Sequence, residues 1–220
     1  MKVKEFLPFE DALFLGEDNI DIEGISYNSK TVKKGYAFFA LPGHSTDGKE
    51  YIQEAVSKGA SLIISCEKVD NLPISQIVVK DIFSFMSSFC AKFYRHPDKE
   101  LKIIGITGTN GKTTITYMIE SIMAYAEIEC GVIGTINYRY KGNIIDAPNT
   151  TPQSADLFKM MRDMVDCGIK YLIMEVSSHA LALGRTEDIE FDIAVFTNLT
   201  LDHLDFHKDM ESYFSAKSKL

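Results

Sequence analysis

The chain has 220 residues, 45% of them hydrophobic, enough to bury a substantial core in one or two globular domains. Its net charge of −8 argues against a general nucleic-acid or membrane-binding surface, so any anionic ligand must be held by local positive groups and is expected to be small. No apolar run reaches the length of a membrane span, and Met1-Lys2-Val3-Lys4-Glu5-Phe6 lacks the apolar core of a signal peptide, which predicts a cytoplasmic protein. The four cysteines, Cys66, Cys90, Cys130 and Cys167, have neither metal-ligand nor redox spacing and read as reduced, mostly buried thiols.

In chain order, short apolar runs predict strands over 36–41, 62–65 and 77–79, with an amphipathic helix through Ile52, Ala55 and Val56 that ends near Gly59. This is the pattern of a small α/β domain. A second helix, over 82–94, runs into Arg95-His96-Pro97-Asp98, where proline discourages further helix and marks a boundary between domains 1–98 and 99–220.

The second domain opens on Leu101, Ile103, Ile104 and Ile106, a buried strand, and then on Gly105-Ile106-Thr107-Gly108-Thr109-Asn110-Gly111-Lys112-Thr113-Thr114. Beyond that turn, Ile115, Met118, Ile119, Ile122 and Met123 recur at helical spacing. A glycine-rich turn that starts a helix presents unpaired N–H groups and a positive dipole end to an anion. Gly108 and Gly111 allow close backbone approach to phosphate oxygens, Lys112 reaches terminal phosphates, and the Thr113 hydroxyl can ligate magnesium. The strict P-loop pattern wants glycine at position 106, where this chain has Ile106, so the loop is a variant.

Further along, 131–136 reads as a strand and 137–146 as a hairpin turning at Gly142-Asn143. Thr151-Pro152-Gln153 has the chemistry of a helix start, with Thr151 as N-cap and Pro152 at the first helical position; Leu157, Met160, Met161, Met164 and Val165 form its buried stripe. Strands over 171–176 and 192–197 follow, each ending in polar residues, and a helix is expected from Met210 onward. Alternating strands and helices imply a mostly parallel, doubly wound sheet with ligands beyond the carboxyl ends of its strands. That helix reaches Leu220 without a capping glycine or proline, so the chain is expected to be a fragment with an incomplete P-loop domain.

Two strand ends carry ligand chemistry. Glu175 follows Leu172-Ile173-Met174, and a carboxylate placed there needs a cation or hydrogen bonds, which makes it a candidate magnesium ligand. The second is Asn198-Leu199-Thr200-Leu201-Asp202-His203-Leu204-Asp205-Phe206-His207. It lacks a cysteine partner for zinc; His203 beside magnesium fits better, and His207 reads as a helix-entry or solvent residue.

The loop, then Asn149-Thr150-Thr151-Pro152, then Met174-Glu175-Val176-Ser177-Ser178-His179-Ala180-Leu181 with Arg185, then 197–207, and finally Ala216-Lys217-Ser218-Lys219-Leu220 resemble the Mur ligase family in order and spacing. The first domain is similar to that family's uridine-nucleotide domain through Ser26-Tyr27-Asn28-Ser29-Lys30 and Gly43-His44-Ser45-Thr46-Asp47-Gly48. There it departs from the usual Asp-Ser-Arg at 28–30 and the usual histidine at Lys49, leaving Ser29 as the residue carried over.

The resemblance implies a small N-terminal α/β uridine-nucleotide domain followed by a truncated P-loop domain, with the family's C-terminal amino-acid domain absent. It implies ATP-dependent addition of the third amino acid, meso-diaminopimelate or L-lysine, to UDP-MurNAc-L-Ala-D-Glu through an acyl phosphate, for peptidoglycan synthesis. Gly108, Thr109, Asn110, Gly111, Lys112, Thr113 and Thr114 then serve ATP; Thr113, Glu175 and His203 serve Mg2+. Ser29, Asn149, Thr150, Thr151, Ser177 and Arg185 serve the nucleotide-sugar substrate, and Arg185 suits a carboxylate because its guanidinium pairs in a bidentate manner. Lys217, which composition alone reads as a surface helix lysine, is implied to carry CO2 as a carbamate and so to join the metal site; Lys112, Lys217 and Arg185 are the implied catalytic group. A monomer, inactive as a ligase on its own, is expected. The alternatives are another amide ligase of the superfamily, such as a folylpolyglutamate or cyanophycin synthetase, or a nucleotide-binding module without catalysis.

Overall fold

Ala37, Phe38, Phe39 and Ala40 alternate between the two faces of a buried strand, and around it the first sheet of the computed structural model is built. The structure describes residues 1–6, 12–43 and 47–220, which divide into two compact units, Met1–Phe93 and Tyr94–Leu220. His44, Ser45 and Thr46 of the second N-terminal motif lie outside the described residues.

The first unit comprises β1 (Ala12–Leu15), β2 (Gly24–Ser26), β3 (Tyr36–Phe39), α1 (Ile52–Ser57), β4 (Leu62–Ser65), β5 (Ser75–Val79) and α2 (Ile82–Phe93). Its strand order is β1-β5-β4-β3-β2, parallel except for the β1–β5 pair. One face packs Phe38, Ala40 and Ile63 with Ile52 and Ala55 of α1. On the other, Phe39 meets Phe85 and Phe89 of α2, and Phe6 stacks on Phe89 at 4.2 Å. Burial of each such side chain contributes roughly 1.5–3 kcal/mol, so both helices are held by the sheet rather than by their own propensity. β1 and β2 escape a sequence reading because one is a half-exposed edge strand and the other is three residues containing glycine and serine.

The second unit comprises β6 (Lys102–Thr107), α3 (Lys112–Tyr125), β7 (Gly131–Ile133), β8 (Asn137–Tyr140), β9 (Asn143–Asp146), α4 (Ser154–Asp166), β10 (Tyr171–Glu175), α5 (Ser178–Ala182), β11 (Ile193–Phe196), α6 (Leu204–His207) and α7 (Met210–Lys217). The sheet order is β11-β6-β10-β7-β8-β9: the first four strands are parallel and the last two are an antiparallel extension. β6 is therefore central, and the chain leaves it through α3 to β7, skipping the place that β10 later fills. This puts the carboxyl ends of β6, β7, β10 and β11 on one edge. Ile106, Val132 and Ile173 pack against Met123, Ile119 and Ile115 of α3. Met164 of α4 packs where a Cβ on Gly131 would stand.

Local expectations change in four places. The hairpin turns at Lys141-Gly142, with φ of 51° and 78°, because a two-residue type I′ turn needs two left-handed residues; Asn143 is already strand. Helix α4 starts at Ser154 after Gln153, and Thr151 does not cap it, since its hydroxyl is engaged elsewhere. On α3, Met118 is 58% and Ile122 68% exposed; only the 115, 119, 123 row meets the core. Of the cysteines, Cys90 is buried, Cys66 and Cys130 are half-buried, and Cys167 is exposed.

Candidate functional site

Between the end of β6 and the start of α3 the chain makes the turn Gly108 to Gly111. Gly108 has φ 141°, and a Cβ there would collide with the Thr197 hydroxyl; Gly111, φ 84°, faces open space and occupies the N-cap of α3 without any side-chain cap. The helix thus offers its uncapped N-terminus at the sheet edge, the arrangement that attracts phosphate.

The middle of the turn is gripped by the segment that leaves β11. Thr109 N donates to Asn198 O (2.9 Å), Asn110 N to Asn198 Oδ1 (3.0 Å) and Thr197 Oγ1 to Asn110 O (2.6 Å). Thr200 N donates to Thr109 Oγ1 at 3.0 Å. This clasp satisfies backbone groups that the turn leaves unpaired and holds the loop's shape.

Two lysines converge on one carbonyl. Lys112 Nζ donates to Gly108 O (2.8 Å) and Thr109 O (2.9 Å), while Lys217 Nζ also donates to Gly108 O, at 2.8 Å. Burial lowers the Lys112 pKa against the opposing pull of Glu175 and Asp202. Lys217 is only 2% exposed, and burial, assisted by the Lys112 charge, pushes its pKa down to about 8. The surface reading of Lys217 is thereby corrected: α7 turns it into the loop.

Glu175, at the end of β10, is 1% exposed. Thr113 Oγ1 donates to its Oε2 (2.9 Å), Thr135 Oγ1 to the same oxygen (2.9 Å) and Thr135 N to Oε1 (3.1 Å). All three donors are neutral, and among the described residues no lysine or arginine is hydrogen-bonded to this carboxylate. A hydroxyl and a carboxylate on adjoining strand ends are hard oxygen donors of the kind magnesium takes alongside phosphate oxygens and water. Among the described residues no group of three or more His, Cys, Asp or Glu is arranged to hold a metal.

A second network lies beside it. Thr151 Oγ1 donates to Glu175 O (2.9 Å) and accepts from Ser177 N (3.0 Å), joining the segment before α4 to the end of β10. Arg185 Nη1 donates to Thr151 O (3.0 Å), and Ser154 Oγ donates to Arg185 O (3.0 Å). Ser177 Oγ caps α5 by accepting from Ala180 N (3.2 Å). Thr150 Oγ1 lies 3.1 Å from Thr135 Oγ1, and Asn149 O accepts from the Tyr138 hydroxyl. Asn149, Thr150, Thr151, Ser177 and Arg185 therefore adjoin the Glu175 strand end, and Thr114 sits exposed in the first turn of α3.

His203, with φ 53°, is turned toward Asp202 (3.6 Å) and His179 (ring centroids 5.0 Å), and it makes no hydrogen bond with Thr113 or Glu175. His207 is buried, contrary to its reading as a solvent residue: Nε2 lies 2.9 Å from Ser178 Oγ, and burial lowers its pKa, as it does for His179. In the first unit, Ser29 is buried and its hydroxyl donates to Glu54 Oε2 (2.7 Å), while Lys58 Nζ donates to Ser29 O (3.1 Å).

Thr135, Asn198, Thr200 and Tyr213 have no role in the sequence reading. Thr135 stands two residues beyond β7, where the strand-end rule that singles out Glu175 also applies. Tyr213 precedes Lys217 by four residues, a spacing that shares one helix face.

The model of the Mur ligase middle domain matches residues 106–220, and that of the Mur ligase family, catalytic domain, matches 21–94. A Geobacter metallireducens protein named UDP-N-acetylmuramoyl-L-alanyl-D-glutamate--2,6-diaminopimelate ligase is 47% identical over 91% of this chain and 40% of its own length. A Clostridium tetani protein of the same name is 44% identical over 100% of this chain and 46% of its own. A solved structure of a ligase of that name superposes with a TM-score of 0.82 at 28% identity, covering all of this chain and 44% of the other. The chain thus spans under half the length of these relatives.

Proposed function

The chain belongs to the Mur ligase family, and on that premise we propose that it is part of an ATP- and Mg2+-dependent ligase that extends UDP-MurNAc-L-Ala-D-Glu by one amino acid. The names of its relatives favour 2,6-diaminopimelate as the incoming amine, with L-lysine as the alternative to be tested. The observation that carries this reading is the uncapped N-terminus of α3, with Lys112 at its mouth and Thr113 hydrogen-bonded to the buried Glu175.

In this reading residues 1–98 bind the uridine nucleotide, with Ser29 as a contact, and residues 99–220 bind ATP. ATP supplies the activation that a carboxylate lacks as an electrophile, giving an acyl phosphate that the amine displaces. The loop residues 108–114 orient the phosphates, Lys112 offsets charge as it crowds on the transferred group, and Thr113 with Glu175 holds the metal. His203 is a metal ligand only after its ring leaves Asp202. Asn149, Thr150, Thr151, Ser177 and Arg185 hold the muramoyl-dipeptide. Lys217, whose lowered pKa leaves it partly neutral near pH 8, would take up CO2 as a carbamate with release of a proton, turning from a cation into an anion that could serve the metal. A cytoplasmic monomer fits the water-soluble substrates.

The test is Lys112→Ala in the complete ligase, assayed with 2,6-diaminopimelate and with L-lysine. ATP-dependent ligation should fall by at least ~100-fold, as for loss of one preorganised charge donor, with UDP-sugar binding unchanged; retained ligation refutes the assignment.

A further inference from the structure

Tyr213 is fully buried on α7, and its side chain meets both the phosphate loop and Lys217. Its hydroxyl lies 3.1 Å from Thr109 Oγ1. Thr109 Oγ1 also accepts from Thr200 N (3.0 Å) and lies 3.3 Å from Thr200 O, so the Tyr213 hydroxyl joins a network that ties the loop to the segment after β11. The ring does a second job: Lys217 Nζ sits 4.6 Å from its centroid. Behind the ring, His207 lies 5.1 Å away, tied to Ser178 at the start of α5.

We propose that Tyr213 is a positioning residue for the phosphate loop, its hydroxyl fixing Thr109 while its ring packs against the Lys217 side chain, whose Nζ donates to the Gly108 carbonyl. One side chain thus sets two successive loop residues, Gly108 through Lys217 and Thr109 directly. The inference rests on the reading of this loop as a nucleotide-phosphate site. A tyrosine that merely filled the core would be replaceable by phenylalanine, which keeps the ring, the burial and the cation contact and removes only the hydroxyl.

The experiment is calorimetric titration of the complete ligase with ATP and Mg2+, for the wild type, Tyr213→Phe, Thr109→Val and the double variant. Tyr213→Phe should weaken ATP about two- to tenfold, the range for loss of one neutral hydrogen bond. Because both single changes remove the same bond, the double variant should bind no more weakly than Thr109→Val alone. Wild-type affinity in Tyr213→Phe, or additive losses in the double variant, overturns the proposal while leaving the phosphate site standing. A wild-type ligase that binds no ATP overturns the phosphate-site reading and this inference together.

Discussion

At Lys217 a single side chain couples burial to charge. Its folded-state pKa of about 8 lies below the ordinary 10.5, so the unfolded chain binds the proton more tightly than the folded one. The penalty is therefore full below pH 8, fades as pH rises from about 8 toward 10.5, and amounts to about 3 kcal/mol. In bicarbonate-free buffer the wild-type second unit should gain roughly that much stability between pH 7 and pH 10 relative to Lys217→Met. Chemical denaturation at the two pH values measures it, and a constant gap between the proteins would contradict the assignment. Glu175 shows the complementary case. Its buried carboxylate is met by two threonine hydroxyls and a backbone N–H rather than by a cation, so the charge that the sequence places at this strand end is held by neutral donors.

At the scale of elements, the phosphate loop depends on a partner loop from elsewhere in the sheet. Thr197, Asn198 and Thr200 follow β11, which pairs with β6 in parallel, so the two loops emerge side by side. Gly108 packs directly against Thr197, and its φ of 141° belongs to glycine. Gly108→Ala should therefore lose ATP binding by calorimetry and lower unit stability by at least ~1–3 kcal/mol, the cost of a strained backbone position; wild-type binding would show that the loop has another shape available. Strands β6 and β10 were readable because they are continuous apolar runs sheltered on both faces. Thr151 was misread as an N-cap for a physical reason: the local signal of Thr-Pro competes with a tertiary acceptor, the Glu175 carbonyl, and the tertiary bond wins.

At the scale of the molecule, each unit has its own sheet and core, and the chain between them passes Arg95 and His96, both with left-handed backbone, φ 60° and 48°. Arg95 is exposed, and mild trypsin should cut after it to give two fragments that resist further digestion, read by mass spectrometry. Rapid loss of either fragment would show that it lacks an independent core. Along the second unit, Ile122, Tyr125, Ile193, Phe196 and Phe214 stay exposed, and the row on α3 that a helical wheel assigns to a core is half in solvent. Periodicity tells which residues share a face; what covers that face is a property of the assembled chain.

The strand, the glycine turn, Lys112, Thr113 and the carboxylate closing a later strand are determined by the sequence alone. Each is local, set by residue type within a few positions of a predictable element. The seat of Lys217 on Gly108, the bond between Tyr213 and Thr109 and the burial of His207 were decided only by the tertiary structure. The first two join residues 109 and 104 positions apart, and it is such distant neighbours that remove water and thereby set pKa and charge.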